Sequence, residues 1–226
     1  VLEKDKPPCF RTEALSVRYS SNASSWTDSY LLMQRQAEAR IPTRSGVFTL
    51  IAYAEHAQER MPHLAVVAEH FDPNGPVPVR IHSECLTGDV FGSRRCDCGE
   101  QLEAGLQLIA RRGGVLLYLR QEGRGIGLIN KLKAYNLQDQ GLNTAEANTH
   151  LGFDVDARQY ECAVFMLQDL GVTQLELITN NPDKVEALRR SPIQVMGRIP
   201  LIIPPHEDNR RYLLTKQELM GHLLGL

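Results

Sequence analysis

Apolar positions recur along this chain with two periods, and the change falls near residue 85. The first third has a period of two. Gln36 to Ile41 and Gly46 to Tyr53 alternate as strands do, and Pro42, Thr43, Arg44 and Ser45 between them predict a hairpin-type turn. His63 to Phe71 is a third apolar run. The turn signal Asp72, Pro73, Asn74, Gly75, Pro76 follows, and Val77 to His82 is a fourth strand. Beyond Cys85 the helical period takes over. Leu102, Gly105, Leu106 and Ile109 keep one face of a helix over 100–112, and Gly113 and Gly114 end it. Val115 to Leu119 reads as a short buried strand. A glycine-rich turn leads into a helix over 126–139. Ala163, Met166, Leu167 and Leu170 mark another helix, closed by Gly171. Leu175 to Thr179, 182–190 and Ile193 to Ile199 continue as strand, helix, strand.

The fold class expected from this order is α/β: mixed β-sheet layers covered by helices, in one composite domain with a β-rich N-terminal third. Residues 1–30 are polar, Ser-rich and weakly periodic, and are expected to be a loosely ordered extension of a catalytic domain at 31–226. No apolar run is long enough to cross a membrane, and no apolar leader is visible at the start. A soluble, cytoplasmic protein is therefore expected.

Cysteine placement changes the picture. Of five cysteines, three fall between positions 85 and 98. An odd count clustered in this way is not a disulfide framework; it points to metal or thiol chemistry. Ten residues separate Cys85 from Cys96 and one separates Cys96 from Cys98. Thiolates are strong zinc ligands, and three of them leave a coordination position for water, as catalytic zinc sites do. The alternative is a structural site completed by His82 or a distant cysteine. Cys162 and Cys9 read as bystanders.

Phosphate-handling elements follow. Gly123, Arg124, Gly125 and Gly127 lie after a strand and open a helix, where backbone amides and the helix terminus favour anions. Leu128 stands where a dinucleotide-binding fingerprint would need glycine. Arg80, Arg95 and Arg124 are candidate phosphate ligands. Thr179, Asn180, Asn181, Pro182, Asp183 and Lys184 form a second loop from strand to helix. Asp156 lies two residues before Arg158, a spacing that by itself usually marks a surface ion pair or a helix-start charge.

Together these stretches resemble the GTP cyclohydrolase II family. RIHSECLTGDVFGSRRCDCG, LRQEGRGIGL, KAYNLQDQG, DVDAR and ITNNPDK follow its motif series in order over roughly 31–225, and NRRYLLTKQELMGHLL also fits. The resemblance implies a reaction of GTP with water. It releases pyrophosphate, removes C8 as formate, and leaves a diamino-ribosylamino-pyrimidinone phosphate, the committed step toward riboflavin. It also implies one catalytic zinc per chain on Cys85, Cys96 and Cys98, and magnesium on the triphosphate. Asp156 falls at the proton acceptor. Arg158 falls at the proposed nucleophile, and the bland alternative for it is electrostatic stabilisation of the phosphoryl transition state. Tyr135 sits near the metal in the family pattern, where its hydroxyl would assist ring opening. GTP contacts are implied at Arg80, Ile81, His82, Ser83, Glu84, Gln101, Glu122, Gly123, Arg124, Thr144, Thr179 and Lys184. A homodimer is implied too. The companion activity that some fused relatives carry in a second domain is not expected in a chain of this length. The other readings are a family member with altered output, either a formamidopyrimidine product or another purine-like substrate, and a non-enzymatic structural-zinc module that binds nucleotide.

Charge sets the partner class. The chain totals −2, which argues against a broadly basic nucleic-acid surface. Yet residues 80–133 hold nine Lys/Arg against six Asp/Glu, a net of +3 inside an otherwise acidic chain. A focused anion site is expected there.

Overall fold

The computed structural model describes residues 32–154 and 158–226. Seven strands form one mixed sheet: β1 (Gln34–Thr43), β2 (Gly46–Ala54), β3 (His63–Ala68), β4 (Val77–Ser83), β5 (Val115–Leu119), β6 (Gln174–Ile178) and β7 (Gln194–Ile199), in the order β1-β2-β3-β5-β4-β6-β7. The pairs β1/β2, β2/β3 and β3/β5 are antiparallel. The pairs β5/β4, β4/β6 and β6/β7 are parallel. β5 is thus the seam between a hairpin-built half and a crossover-built half. This is the mixed sheet expected from the sequence.

Helices cover both faces. The described residues contain α1 (Leu86–Asp89), α2 (Cys98–Arg112), α3 (Gly127–Asp139), α4 (Thr144–His150), α5 (Glu161–Asp169), α6 (Pro182–Arg189) and α7 (Arg210–Met220). Alternation along β5 explains the layering. Val115, Leu117 and Leu119 face one core with Cys162, Met166 and Leu167 of α5 and Leu188 of α6. Leu116 and Tyr118 face the other, with Ile109, Leu102 and Leu106 of α2. β4 is buried along nearly its whole length, as a central parallel strand must be. β1 is the opposite case. It is almost wholly exposed, carries charges and is broken by a register shift between Arg35 and Ala37, features that blunt an edge strand.

Boundaries differ from the sequence reading where backbone chemistry intervenes. The third run stops at Ala68, not Phe71, because Phe71 N donates back to Ala68 O in a turn. The helix expected over 126–139 starts at Gly127, after a separate 3-10 turn over Glu122–Gly125. α4 was not anticipated: TAEANTH has no apolar stripe. It is held by a capping box, with Asn143 accepting from Glu146 N and the Glu146 carboxylate accepting from Asn143 N, a motif worth about 1 kcal/mol. α7 was not anticipated as a helix either. No helix among the described residues is long and apolar enough to cross a membrane. The expected extension, residues 1–30, lies outside the described residues.

Candidate active site

Open α/β sheets bind ligands beyond the carboxyl ends of their parallel strands. Here β4, β5 and β6 run in parallel and release three loops at one end: the one carrying Cys85, the one carrying Glu122 to Arg124, and the Thr179 loop. All three line a single cleft.

The cysteines come together. Sγ atoms of Cys85, Cys96 and Cys98 lie within 4.8 Å of one another. Two thiolates bound about 2.3 Å from one tetrahedral zinc ion stand about 3.8 Å apart; Cys85 Sγ and Cys96 Sγ are 3.7 Å apart. The surrounding backbone is shaped to the cluster. A Cβ on Gly88 would lie 3.1 Å from Cys96 Sγ and 3.2 Å from Cys85 Sγ, so any larger residue at this turn of α1 would press on the sulfurs. A donor set of three close sulfurs with such access suits zinc.

Charge around the sulfurs favours thiolate at Cys85, whereas hydrogen bonding to Cys85 and burial push the Cys96 thiol up to about 11 and raise that of Cys98 as well. Hydrogen bonds from Cys96 and Cys98, with the Lys131 ammonium beside it, hold the Cys85 thiol far below its usual range despite burial. Lys131 Nζ lies 3.1 Å from Cys85 Sγ and 2.8 Å from Glu122 Oε1. Glu122 Oε2 accepts from Leu86 N at 2.6 Å, and Glu122 Oε1 also accepts from Gly123 N at 2.7 Å. Glu122 therefore ties the glycine turn to the cysteine loop. Asp89 anchors that loop from below, accepting from Cys85 N at 2.9 Å and Tyr118 OH at 2.8 Å and pairing with His82 Nε2 at 3.0 Å. Burial keeps His82 below its ordinary pKa even so.

Gly123 and Arg124 both adopt left-handed backbone, at φ 61° and 62°. Arg124 is the one described non-glycine residue to do so, and strain of this kind clusters at functional sites. Tyr135 lies at the cleft with Arg95 over its ring, 5.0 Å from the centroid. Burial pushes its hydroxyl up to about 12, against a hydrogen bond with Thr87. It keeps its proton at neutral pH.

Most residues singled out in the sequence line this cleft: Arg80, His82, Ser83, Glu84, Gln101, Glu122, Gly123, Arg124, Tyr135, Thr144, Arg158, Thr179 and Lys184 join the three cysteines. Ile81 does not. Its side chain is in the core, and only its carbonyl is engaged, by Lys184 Nζ at 2.8 Å. Alternation explains this, since Arg80 and His82 point to the opposite face of β4. Asp156 lies outside the described residues. Asn180 and Asn181 of the Thr179 loop line the cleft too, while the sequence reading missed Lys131, Asn148, Tyr212, Lys216 and His222, which also line it. Lys131 had no readable signal, because its partners arrive from two other loops.

His222 is pushed down to about 3 by burial first, then by the charges of Lys216, Arg158, Arg124 and Lys184. Between an unfolded value of about 6.5 and the folded one, the unfolded chain binds more protons, so stability falls as pH falls through that window. His222→Asn is expected to lose that share of the pH dependence. Urea midpoints of parent and variant, compared at steps from pH 7 to pH 4, check it: the gap between them should change with pH, not stay constant.

Known proteins are similar to this chain over most of its length. A riboflavin biosynthesis protein RibBA of Bacillus cereus is 52% identical over 196 residues, covering 86% of this chain and 49% of its own length. Its namesake in Chlorobium phaeovibrioides is 52% identical over 195 residues, covering 86% of this chain and 47% of its own. The chain thus spans about half the length of these relatives. A solved two-domain 3,4-dihydroxy-2-butanone 4-phosphate synthase from A. baumannii is similar at 21% identity over 75% of this chain and 40% of that one, with a TM-score of 0.44. The model of the family described as GTP cyclohydrolase II matches residues 34–200, from β1 through β7 and every sulfur of the cluster, and the chain belongs to that family.

Proposed function

We propose that this chain converts GTP to 2,5-diamino-6-(5-phospho-ribosylamino)pyrimidin-4(3H)-one, releasing formate and pyrophosphate, as the first committed step of riboflavin biosynthesis. Zinc on Cys85, Cys96 and Cys98 and magnesium on the triphosphate are part of the proposal, as is a cytoplasmic homodimer. One observation carries it: the three-sulfur cluster and the cationic phosphate loops open into the same cleft. A second supports it. Arg80 Nε, His82 Nδ1, Ser83 Oγ and Asn181 Nδ2 are buried without a hydrogen-bond partner, and all four residues line that cleft. Buried polar atoms normally have partners, so a polar ligand fits here.

When bound, zinc supplies a water activated toward hydroxide at neutral pH. The remaining work belongs to side chains. Arg124, Arg158 and Lys184 meet the phosphates, with the guanidinium forks matching phosphate oxygens. Gln101 and Glu122 are largely committed to other residues, so they orient the loops around the base and phosphates. Glu84 has one oxygen on Arg120 at 2.8 Å and the other available to a guanine N1–H or amino group. Tyr135, protonated, donates a hydrogen bond or proton as the imidazole ring opens.

Incubation of the zinc-loaded chain with GTP and Mg²⁺ is expected to release formate and pyrophosphate together, with the diamino product identified by mass. Release of pyrophosphate with a formamide product would mean an altered output. Absence of both products would remove the proposal.

A further inference from the structure

α7 lies beyond the family match, which ends at residue 200, yet it walls the cleft. Tyr212 and Lys216, one helical turn apart, both line it, as does His222 just past the helix end. The helix is fixed at that end. Gly221 closes it in left-handed backbone, and Leu223 N donates to Asn180 O at 2.9 Å, in the loop after β6.

Lys216 reaches inward rather than to solvent. It is 9% exposed, and its ammonium sits 4.4 Å from the Tyr212 ring centroid and 2.7 Å from Asp97 Oδ1. Asp97, 1% exposed, is the residue between Cys96 and Cys98. It occupies the N-cap of α2, where an Asp side chain ordinarily accepts from the first-turn amides. Here it makes no such cap. Its second oxygen instead accepts from Gln101 Nε2 at 2.5 Å. That bond fixes the Gln101 amide so that its carbonyl oxygen faces Arg80 Nη2, and Arg80 Nη1 donates to Ile178 O at 3.1 Å. One chain of hydrogen bonds thus runs from α7 through the cysteine turn to the middle of β4 and the end of β6.

We propose that Lys216 is a positioning residue: through Asp97 it holds the Cys96–Cys98 turn and the Gln101–Arg80 pair, making α7 a working wall of the site. The role of this wall rests on the cyclohydrolase reading, but the hold on the cysteine turn does not. Without the ammonium, Asp97 keeps only its Gln101 hydrogen bond and is left as a buried carboxylate with no ion-pair partner between two metal ligands, so the turn must move to hydrate it.

The test uses the full chain loaded with zinc and challenged with a chromophoric chelator. Lys216→Met is expected to release zinc roughly 10- to 100-fold faster, the range found when outer partners of metal ligands are removed. The double variant Asp97→Asn/Lys216→Met, which removes both charges, should retain zinc better than Lys216→Met alone. With cobalt in place of zinc, the sulfur-to-metal charge-transfer band should shift in Lys216→Met and return toward the parent in the double variant. Zinc release by Lys216→Met at the parent rate overturns the proposal. A double variant that loses zinc as fast as the single one also overturns it, since Lys216 would then not act through Asp97. Should Lys216→Met fail to fold, recovery of fold and zinc together in the double variant supports the proposal, and continued failure overturns it. A parent that makes no formate from GTP would sink the cyclohydrolase reading while leaving the zinc-retention result to stand by itself.

Discussion

Cys96→Ser is expected to stop formate release from GTP while pyrophosphate release continues. A serine hydroxyl at this place stays protonated at neutral pH and is a poor substitute for thiolate on a soft-ligand zinc site. The remaining pair, Cys85 and Cys98, would hold the ion with two sulfurs instead of three. Changes one shell further out cost roughly 10- to 100-fold, so loss of a direct ligand should lower formate release by more than that. In the proposed reaction, pyrophosphate release is assigned to a different group of side chains, centred on Arg158 and the cationic loops. Formate and pyrophosphate should be measured on the same sample with its zinc content. If zinc is lost and both products persist at the parent rate, the three-sulfur cluster has no part in the chemistry. If formate alone falls, the cleft holds two separable functions.

The periodicity of the chain anticipated most of the sheet, and the exceptions have physical causes. β2 and β5 were readable because alternate residues enter different cores: Leu116 and Leu117 are neighbours in sequence and lie on opposite faces. The insertion of β5 between β3 and β4 was not readable. It depends on which strand edges are left open once the hairpins form, a non-local choice that no window of sequence contains. α4 was missed for a different reason. Its stability lies in its Asn143–Glu146 cap, and that signal was present in the sequence but unaccompanied by an apolar stripe. α7 was passed over because part of what it buries is Lys216, which a hydropathy reading assigns to solvent.

The candidate site divides in the same way. Cys85, Cys96 and Cys98 were legible because their chemistry is written in their spacing. Arg80 and His82 were legible as a motif, and alternation along β4 then decided that Ile81 between them turns to the core. Lys131 and Lys216 were not legible. Each acquires its meaning from a partner far away in the chain, Cys85 in one case and Asp97 in the other. Ordinary surface lysines have the same local sequence. What separates them is burial against an anion, a property of the folded chain.

Arg158→Ala is expected to lose both products, by about 10²- to 10³-fold if the guanidinium only stabilises developing charge. The loss should be larger still if it bonds to the α-phosphorus. Arg158 lines the cleft, and its charge is felt at His222 together with those of Arg124, Lys184 and Lys216. A triphosphate in that neighbourhood meets several cations whose mutual repulsion it relieves. Removing one of them weakens binding of every phosphate, and in the proposed reaction also removes the group that acts on the α-phosphate. The two roles leave different traces. A covalent role requires the guanidinium to lose a proton as the nitrogen–phosphorus bond forms and pyrophosphate leaves, and it deposits the nucleotidyl group on the chain. GTP labelled at the α-phosphate, mixed with the parent and quenched in alkali, would then leave label on the protein, and Arg158→Ala would leave none. An electrostatic role leaves no label in either protein, and Arg158→Lys should recover part of the rate through charge alone. Turnover by Arg158→Ala near the parent rate would exclude both roles and leave Arg124 and Lys184 as the groups that carry the phosphoryl chemistry.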